Sequence, residues 1–283
     1  MARLTFSSAL SAMTEAASWL DANGCTPVIE QSSAEAAGLE GRWQTVTRDD
    51  LAGEVEVILA FGGDGTLLDA ASVVAHSASD VPLLGVNLGR LGFLTEVARA
   101  DMLSALDALV AGRTRTETRL VLAGAVIRSS VRAVERLALN DIVVTRGALS
   151  RMIELDVEVD DQFVCHVKAD GLIVASATGS TAYNLSAGGP IVHPAVDALV
   201  LTPIAPHTLT NRPLVLPATA RISLRPDIDS RSDFVVTFDG QYGAPLEPHD
   251  IVEISRAPRV LRLLRLTPRT HFDMLREKLQ WGK

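Results

Sequence analysis

Residues 55–66 read Val-Glu-Val-Ile-Leu-Ala-Phe-Gly-Gly-Asp-Gly-Thr, an almost continuous apolar run that ends in a cluster of glycines. Such a run, with several β-branched residues, is typical of a strand buried on both faces, as in a parallel sheet. The next residues, 66–76, have the spacing of a helix. A strand, a tight glycine turn and a helix in this order indicate an α/β domain.

The segments on either side of this run repeat the alternation. Apolar residues between positions 10 and 20 recur at intervals of three and four, which predicts an amphipathic helix that stops at Asn23-Gly24. Residues 82–87 predict a second buried strand. Residues 101–110 predict a further helix, with Asp101 as its N-terminal cap.

From about residue 118 the spacing of the apolar residues changes, and they recur at every second position. In residues 153–159 Ile, Leu and Val alternate strictly with Glu and Asp, which predicts a strand with one solvated face, and Asp160-Asp161 predicts a hairpin turn. Shorter strands, with turn residues between them, are expected at 120–127, 131–138, 220–225, 233–238, 251–255 and 259–264. This half is therefore predicted to be mainly antiparallel and all-β, similar to a β-sandwich.

Length and pattern together predict two domains. A chain of 283 residues exceeds the size of a minimal single core. We expect a Rossmann-like α/β domain with a parallel sheet over residues 1–118 and a β-rich domain over residues 119–266. The last stretch, residues 267–283, returns to helical spacing and is expected to pack on the first domain.

Composition excludes several classes of function. The net charge of −8 argues against a nucleic-acid surface as the main partner. No apolar run approaches the roughly 18 residues of a membrane span, and the first residues lack the apolar stretch of a secretory signal, so we expect a cytoplasmic protein. Cys25 and Cys165 have no paired spacing, and the six histidines are not spaced as metal ligands on one helix face.

The glycine-rich turn at residues 62–66 predicts contact with phosphate. Glycine lets backbone N–H groups approach phosphate oxygens, and the N-terminus of the following helix adds a positive potential. Asp64 stands in the middle of this turn, where phosphates would repel its carboxylate unless it took up a proton or held a metal. The alternative is that Asp64 only caps the helix. The turn matches neither the Walker A motif nor the Gly-x-Gly-x-x-Gly fingerprint.

Residues 169–190 form a second group suited to binding. The segment reads as a strand followed by many hydroxyl and small side chains, with one aromatic residue, Tyr183. Such a surface can stack a purine and hydrogen-bond a ribose and a diphosphate. The alternative is a tightly packed turn of Gly, Ser and Thr without a ligand.

Several segments in a fixed order resemble the NAD kinase family. The turn at 62–66 alone resembles a wider signature that diacylglycerol and sphingosine kinases share, and more loosely phosphofructokinases. Residues 169–190 closely resemble the NAD-binding signature of NAD kinases, which lipid kinases lack. The other family-like segments are residues 85–94, 138–141, 202–214 and 239–241.

The resemblance implies phosphoryl transfer from ATP to the 2′-hydroxyl of the adenosine ribose of NAD, which gives NADP. Asp64 would be the general base, and Mg²⁺ would arrive with the donor phosphates rather than in a protein metal site. Asn140 and Asp141 would clamp a ribose, and residues 181–186 would form the wall that binds adenine and ribose. Together with placement beside the motifs, the resemblance implies that NAD or ATP is bound by Gly63, Gly65, Phe93, Asn140, Asp141, Arg151, Lys168, Asp170, Thr178, Thr181, Ala182, Tyr183, Asn184, Leu185, Ser186 and Gln241.

Further expectations concern the donor, the assembly and the alternatives. A basic residue at Lys168 tends to accompany the use of ATP over polyphosphate, although a solvated lysine at a strand edge fits equally well. The family implies a homodimer or homotetramer. Ala177 departs from the family, which commonly has proline there, and residues 3–6 predict an unusually short first strand. A lipid kinase and a non-catalytic NAD(P) sensor are the alternatives; Asp64 argues against the sensor.

Overall fold

The chain forms two compact units in a computed structural model. The structure describes residues 1–2, 7–89, 92–146, 152–208, 210–227, 234–266 and 269–281. The first unit contains Met1–Thr118 and Leu261–Lys283, and the second contains Arg119–Val260. Within the described ranges, no helix is long and apolar enough to cross a membrane. The predicted short strand at 3–6 lies outside the described residues.

The helices and strands are numbered along the chain. The first part contains α1 (Ser7–Ala22), β1 (Val28–Glu30), α2 (Gln31–Ala37), β2 (Gln44–Val46), α3 (Leu51–Glu54), β3 (Ile58–Gly62), α4 (Asp64–His76), β4 (Leu83–Asn87), β5 (Val97–Ala98) and α5 (Met102–Val110). There follow β6 (Arg115–Arg128), β7 (Val131–Ala138), β8 (Asp141–Arg146), β9 (Ile153–Val159), β10 (Gln162–Ala169), β11 (Gly171–Ser176), α6 (Tyr183–Ser186) and β12 (Ala198–Ile204). The last are β13 (Leu214–Pro217), β14 (Ile222–Pro226), β15 (Phe234–Phe238), β16 (Tyr242–Leu246), β17 (Ile251–Arg265) and α7 (His271–Leu279).

The first unit is an α/β structure, as predicted. Strands β3 and β4 are parallel, and β4 also pairs in parallel with β5 and with the end of β17. Helices α1 and α5 bury apolar side chains against these strands, including Met13 and Leu106 beside Phe61 and Leu84. The apolar run at 55–61 was therefore correctly placed in a buried strand, although the strand begins at Ile58.

Helix α5 differs from its prediction at its start. The helix begins at Met102, and residues Arg99–Asp101 form a turn of 3-10 helix before it. The Asp101 side chain makes no capping hydrogen bond, so its predicted role as a cap was wrong. The preceding 3-10 turn brings the chain into the helix without a side-chain cap, because turns of this kind satisfy helix ends through the backbone.

The second unit consists mainly of two antiparallel sheets, as predicted. One has the strand order β13-β12-β11-β8-β15-β16, and β10, β9, β14 and the first part of β17 form the other. Side chains from both sheets, such as Leu172 and Leu155, belong to one buried cluster. This packing is similar to a β-sandwich. The predicted hairpin at Asp160-Asp161 joins β9 to β10 with φ values of 50° and 63°.

Strand β17 corrects a prediction. The sequence indicated two strands, at 251–255 and 259–264, but the structure has one strand of 15 residues, Ile251–Arg265. Turn residues were expected between these two strands, in the gap that contains Pro258. Proline lacks an N–H donor, yet a strand tolerates it where no ladder bond is needed at that position. The single strand contributes residues to both units.

Candidate active site

The glycine-rich turn lies where the sequence placed it, between a strand and a helix. Strand β3 ends at Gly62, and α4 begins at Asp64 with Gly63 as its N-cap. A side chain at Gly62 would place its Cβ 2.8 Å from the Cβ of Thr66, with the Thr66 hydroxyl closer still. Glycine is therefore required for the close return of the chain, and the backbone N–H groups at a helix N-terminus favour a nearby anion.

The Asp64 carboxylate accepts four hydrogen bonds from one short segment. Oδ2 accepts from the backbone N–H of Phe93 at 2.7 Å. Oδ1 accepts from the N–H groups of Leu94 and Thr95, at 3.1 and 3.0 Å, and from the Thr95 hydroxyl at 2.9 Å. A carboxylate has about four acceptor positions, two on each oxygen. Among the bonds between described residues, Oδ2 accepts only one, so it is the oxygen with room for a further donor.

Gly92 and Asn87 hold this arrangement and were not found by sequence reasoning. A Cβ at Gly92 would lie 2.6 Å from Asp64 Oδ2 and closer to Oδ1, so only glycine admits the carboxylate. Asn87 donates from Nδ2 to the Thr95 hydroxyl at 2.7 Å, and that hydroxyl donates to Asp64. Both Asn87 and Thr95 are buried. The sequence shows that residues 89–92 are rich in glycine, but it does not show that Gly92 contacts the Asp64 carboxylate.

A second set of predicted site residues converges in the second unit. Asn140 and Asp141 are buried at the start of β8, beside the end of β11. Ser176 donates from its N–H to the Asn140 carbonyl at 2.9 Å, and from its hydroxyl to the Leu139 carbonyl at 2.6 Å. A Cβ at Gly179 would lie 2.7 Å from the Asn140 Cα. The segments around residues 140 and 179 are therefore in direct contact.

The predicted wall at residues 181–186, and Thr178 just before it, divide into accessible and buried members. Thr178 is buried, Thr181, Ala182 and Leu185 are half-buried, and Tyr183 and Ser186 are exposed. The Tyr183 side chain is 45% accessible, which leaves the ring open for stacking on a purine.

Asn184 has a different place from its neighbours on the wall. It is fully buried, donates to the carbonyls of Ser180 at 3.0 Å and Pro190 at 3.1 Å, and accepts from the Thr202 hydroxyl at 2.6 Å. Its amide is thus committed to protein groups. Asn184 therefore lies beneath the wall and stabilises it, because the polar atoms of a buried amide need hydrogen-bond partners.

Of the remaining predicted residues, Asp170, Lys168 and Phe93 lie near charged side chains. Asp170 forms an ion pair with Arg146 at 3.3 Å, and Lys168 pairs with Glu154. These four side chains are between 37% and 44% accessible, so a ligand could compete for them. Gln241 is exposed in the turn after β15, the ring of Phe93 lies 5.9 Å from the Lys278 ammonium, and Arg151 lies outside the described residues.

Comparison with known proteins identifies the family. Residues 3–114 match the ATP-NAD kinase N-terminal domain, and residues 139–266 match the ATP-NAD kinase C-terminal domain. The NAD kinase of Azoarcus sp. (strain BH72) is 44% identical over 266 residues, which cover 94% of this chain and 89% of that protein. The chain belongs to the NAD kinase family.

Other relatives agree with this assignment. The NAD kinase of Heliobacterium modesticaldum is 49% identical over 230 residues, 81% of this chain and 80% of that protein. The crystal structure of yeast NADH kinase complexed with NADH has a TM-score of 0.85 and 26% identity, and covers 97% of this chain and 84% of that one. The crystal structure of an Archaeoglobus fulgidus NAD kinase in complex with ATP has a TM-score of 0.70 and 26% identity, and covers 88% of this chain and 94% of that one.

Membership of the NAD kinase family makes the chain a kinase, a phosphotransferase. It favours NAD kinase function over the two alternatives, a lipid kinase and a non-catalytic sensor. The predicted combination of an α/β unit and a mainly antiparallel β unit is also confirmed by the NAD kinase neighbours.

Asp141 carries the largest pKa shift among the predicted site residues. Burial, and next the nearby charge of Asp239, raise the pKa of the Asp141 carboxyl from 3.8 to about 7. Because the folded pKa lies above the unfolded one, the protonated form is favoured by folding. This contribution to stability is complete below pH 3.8 and is lost as the pH rises through about 7.

We expect Asp141→Asn to remove this pH dependence. Between pH 5 and pH 8 the wild type should lose stability that the variant keeps, with an upper limit of about 3 kcal/mol, because roughly two pKa units of the shift lie above pH 5. The measurement is the urea midpoint at both pH values, with Asp161→Asn in an exposed hairpin as the control. Parallel pH curves for wild type and Asp141→Asn would contradict the assignment.

Ala177 occupies a backbone position that proline can adopt. Its φ is −57° and its ψ is −35°, and the preceding Ser176 is in strand β11, as a residue before proline requires. Among the described residues, no hydrogen bond uses the Ala177 N–H. The departure from the NAD kinase pattern therefore leaves the turn in a proline-compatible conformation.

We expect Ala177→Pro to raise the free energy of unfolding by about 0.4–1 kcal/mol, because proline restricts the unfolded chain. Ala182→Pro is the matched control. The Ala182 N–H donates to the Gly179 carbonyl at 2.9 Å and its φ is −96°, so proline there should destabilise the protein. The comparison uses thermal midpoints, and a loss of stability in Ala177→Pro would contradict the expectation.

Proposed function

We propose that this chain transfers the γ-phosphoryl group of ATP to the 2′-hydroxyl of the adenosine ribose of NAD, with Asp64 as the general base. The observation that carries the proposal is the Asp64 carboxylate, held by four hydrogen bonds with its Oδ2 accepting only one of them. A base must be oriented and must keep an open acceptor position for the hydroxyl group. Asp64 meets both needs.

The proposed step is a single displacement at phosphorus. The 2′-hydroxyl gives its proton to Asp64 Oδ2 as the ribose oxygen forms a bond to the γ-phosphorus. The bond between the γ-phosphorus and its bridging oxygen breaks, and ADP leaves. Such transition states are loose, so positioning and charge neutralisation contribute most of the catalysis. Proton removal by a placed base contributes typically 10²–10⁴-fold.

The donor phosphates are proposed to bind at the glycine-rich turn. Gly63 and Gly65 stand at the N-terminus of α4, a helix of 13 residues, where backbone N–H groups and the helix dipole favour an anion. In the described part of the chain, no three His, Cys, Asp or Glu side chains are grouped to hold a metal. A Mg²⁺ ion would therefore be held chiefly by the ATP phosphates, whose charge it would neutralise.

The second unit is proposed to bind NAD. The exposed Tyr183 ring would stack on the adenine, and Thr181 and Ser186 offer hydroxyl groups. Asn140 and Asp141 would hydrogen-bond a ribose, because a carboxylate accepts hydrogen bonds from neighbouring hydroxyls. The complex of yeast NADH kinase with NADH supports a dinucleotide ligand for this fold.

ATP is the proposed phosphoryl donor. The related Archaeoglobus fulgidus NAD kinase was solved in complex with ATP. In this chain Lys168 is paired with Glu154 and partly accessible, and the resemblance to the family associates a basic residue at this position with the use of ATP.

The test is NADP formation by the purified protein. NAD or NADH is supplied with Mg-ATP or with Mg-polyphosphate, and each product is quantified. NADP from NAD and Mg-ATP is the expected result. Phosphorylation of a diacylglycerol or sphingosine in place of NAD would overturn the proposal in favour of a lipid kinase, and tight NAD binding without product would favour a sensor. The homodimer or homotetramer and the cytoplasmic location stay predictions.

A further inference from the structure

The turn between β15 and β16 contains an aspartate that the proposed reaction does not use. Asp239 and Gly240 have φ values of 50° and 63°, and the Gln241 N–H donates to the Phe238 carbonyl at 2.9 Å. An Asp-Gly pair suits a two-residue hairpin turn, since both positions need positive φ. Turn chemistry explains the backbone of Asp239, but it does not explain what the side chain does.

The Asp239 carboxylate accepts three consecutive backbone hydrogen bonds from another part of the chain. Its Oδ2 accepts from the Leu139 N–H at 2.7 Å. Its Oδ1 accepts from the N–H groups of Asn140 at 2.7 Å and Asp141 at 3.1 Å. In return, the Asp239 N–H donates to the Asp141 carbonyl at 2.9 Å. Hydrogen bonds to an ionised acceptor are stronger than neutral ones, so residues 139–141 are firmly held.

These bonds join two segments that are proposed to contact NAD. Asn140 and Asp141 lie on one side of the contact, and Gln241 lies two residues after Asp239 on the other. The Asn140 carbonyl also accepts from the Ser176 N–H at 2.9 Å. The backbone of Asn140 is thus fixed through both its N–H and its carbonyl.

We propose that Asp239 is a positioning residue for NAD binding: its carboxylate fixes the backbone of residues 139–141 so that the Asn140 and Asp141 side chains meet the ribose. This inference rests on the proposed NAD kinase function. It adds a residue that does not touch the substrate and acts through the pair that does. The same carboxylate holds the turn that contains Gln241 next to Asn140 and Asp141.

Asp239 also acts on Asp141 through its charge. Strands β11 and β15 flank β8, and neither Gly171–Ser176 nor Phe234–Phe238 contains an ionisable side chain. Burial and then the Asp239 charge raise the pKa of Asp141 to about 7. Burial also raises the pKa of Asp239, but its three N–H donors oppose this shift. The three donors thus favour the ionised form of Asp239, whereas burial and the Asp239 charge favour the protonated form of Asp141.

This assignment predicts how NAD binding depends on pH. An ionised Asp141 can accept hydrogen bonds from ribose hydroxyls at both oxygens, whereas the protonated acid has lost part of that capacity. The KM for NAD should therefore fall as the pH rises through about 7. Without the charge of Asp239, the fall should occur at lower pH, since a neighbouring carboxylate raises an acid's pKa.

The test is Asp239→Asn, with kcat and KM for NAD measured between pH 5.5 and 8.5. We expect KM to rise roughly tenfold with kcat preserved, because a charged acceptor for three N–H groups is lost. The pH at which KM falls should decrease by about half a unit to one unit. A merely structural role would not shift this pH profile.

Asp160→Asn is the matched control. Asp160 also has a φ of 50° in a two-residue hairpin turn, and its Oδ1 accepts from the Arg221 N–H at 2.9 Å, but it has no part in the proposed site. Its kinetics should equal those of the wild type. An Asp239→Asn protein with wild-type KM and pH profile would overturn the proposal.

A second variant covers the case in which Asp239→Asn does not fold. Asp239→Glu keeps the charge but lengthens the side chain, so KM for NAD should rise while the pH profile stays that of the wild type. An unchanged KM in this variant would overturn the proposal. A wild-type protein that forms no NADP would instead remove the proposed function, so the two failures are distinct.

Discussion

Replacement of Asp64 by asparagine should lower kcat by about 10²–10⁴-fold, the contribution of a well-placed general base. An amide has nearly the same shape as the carboxylate but cannot take the proton of the ribose hydroxyl. The residues proposed to bind NAD belong to other segments, around positions 140 and 183, so the Kd for NAD should change little. The measurements are kcat for NADP formation and the Kd for NAD by calorimetry.

The control for this variant is Asp69→Asn. Asp69 also lies on α4 and pairs with Arg48, but it has no role in the proposed chemistry. In Asp64→Asn the new amide group would face one of the four donors of residues 93–95, so thermal midpoints of both variants should be recorded. Near-normal turnover in a folded Asp64→Asn protein would show that Asp64 only stabilises the backbone of residues 93–95 and is not the base.

Gly92→Ala should reduce kcat by on the order of 100-fold, since a misplacement of about 1 Å can have this effect. A Cβ at this position would lie 2.6 Å from Asp64 Oδ2 and closer to Oδ1. The carboxylate would have to move, and the N–H groups of residues 93–95 would lose their acceptor. Each lost partner in a buried place costs about 1–3 kcal/mol, so a lower thermal midpoint is also expected.

Gly89→Ala provides a matched control in the same loop. A Cβ at Gly89 would have no heavy atom of the described, non-adjacent residues within 4 Å, and alanine keeps the N–H that donates to Asn87 at 2.8 Å. This variant should retain the kcat of the wild type. Equal activity of Gly92→Ala and Gly89→Ala would mean that the close approach of Gly92 to Asp64 does not matter for the reaction.

The long helices and strands of this protein could be predicted because their buried residues recur at the spacing of a helix or of a strand. The helices Ser7–Ala22 and Asp64–His76 and the strand Ile153–Val159 each show this spacing. The elements β1, α2, β2 and α3 were missed, since they have three to seven residues. Runs this short contain less than two helical turns and no clear alternation. They are stabilised by specific contacts, such as the Glu30 carboxylate that caps α2 through Ser32 and Ser33.

The proposed site also contains some residues that could be predicted from the sequence and others that could not. Asp64 and residues 181–186 were predicted as site residues because each lies in a continuous segment that resembles a motif of the NAD kinase family. Gly92 and Asp239 were not singled out as site residues, because what they do depends on partners elsewhere in the chain. The Thr95 hydroxyl that holds Asp64 is 31 positions away, and Asp239 is 98 to 100 positions from the N–H groups it accepts.

The amino-acid sequence by itself determined the strand, turn and helix around Asp64, the change of period near residue 118 and the order of motifs that indicates a family. Only the tertiary structure decided which polar side chains stay open to a ligand, such as Tyr183 and Ser186, and which are used inside the protein, such as Asn184. The physical reason is that a buried polar group must find hydrogen-bond partners, and those partners come from segments that only folding brings together.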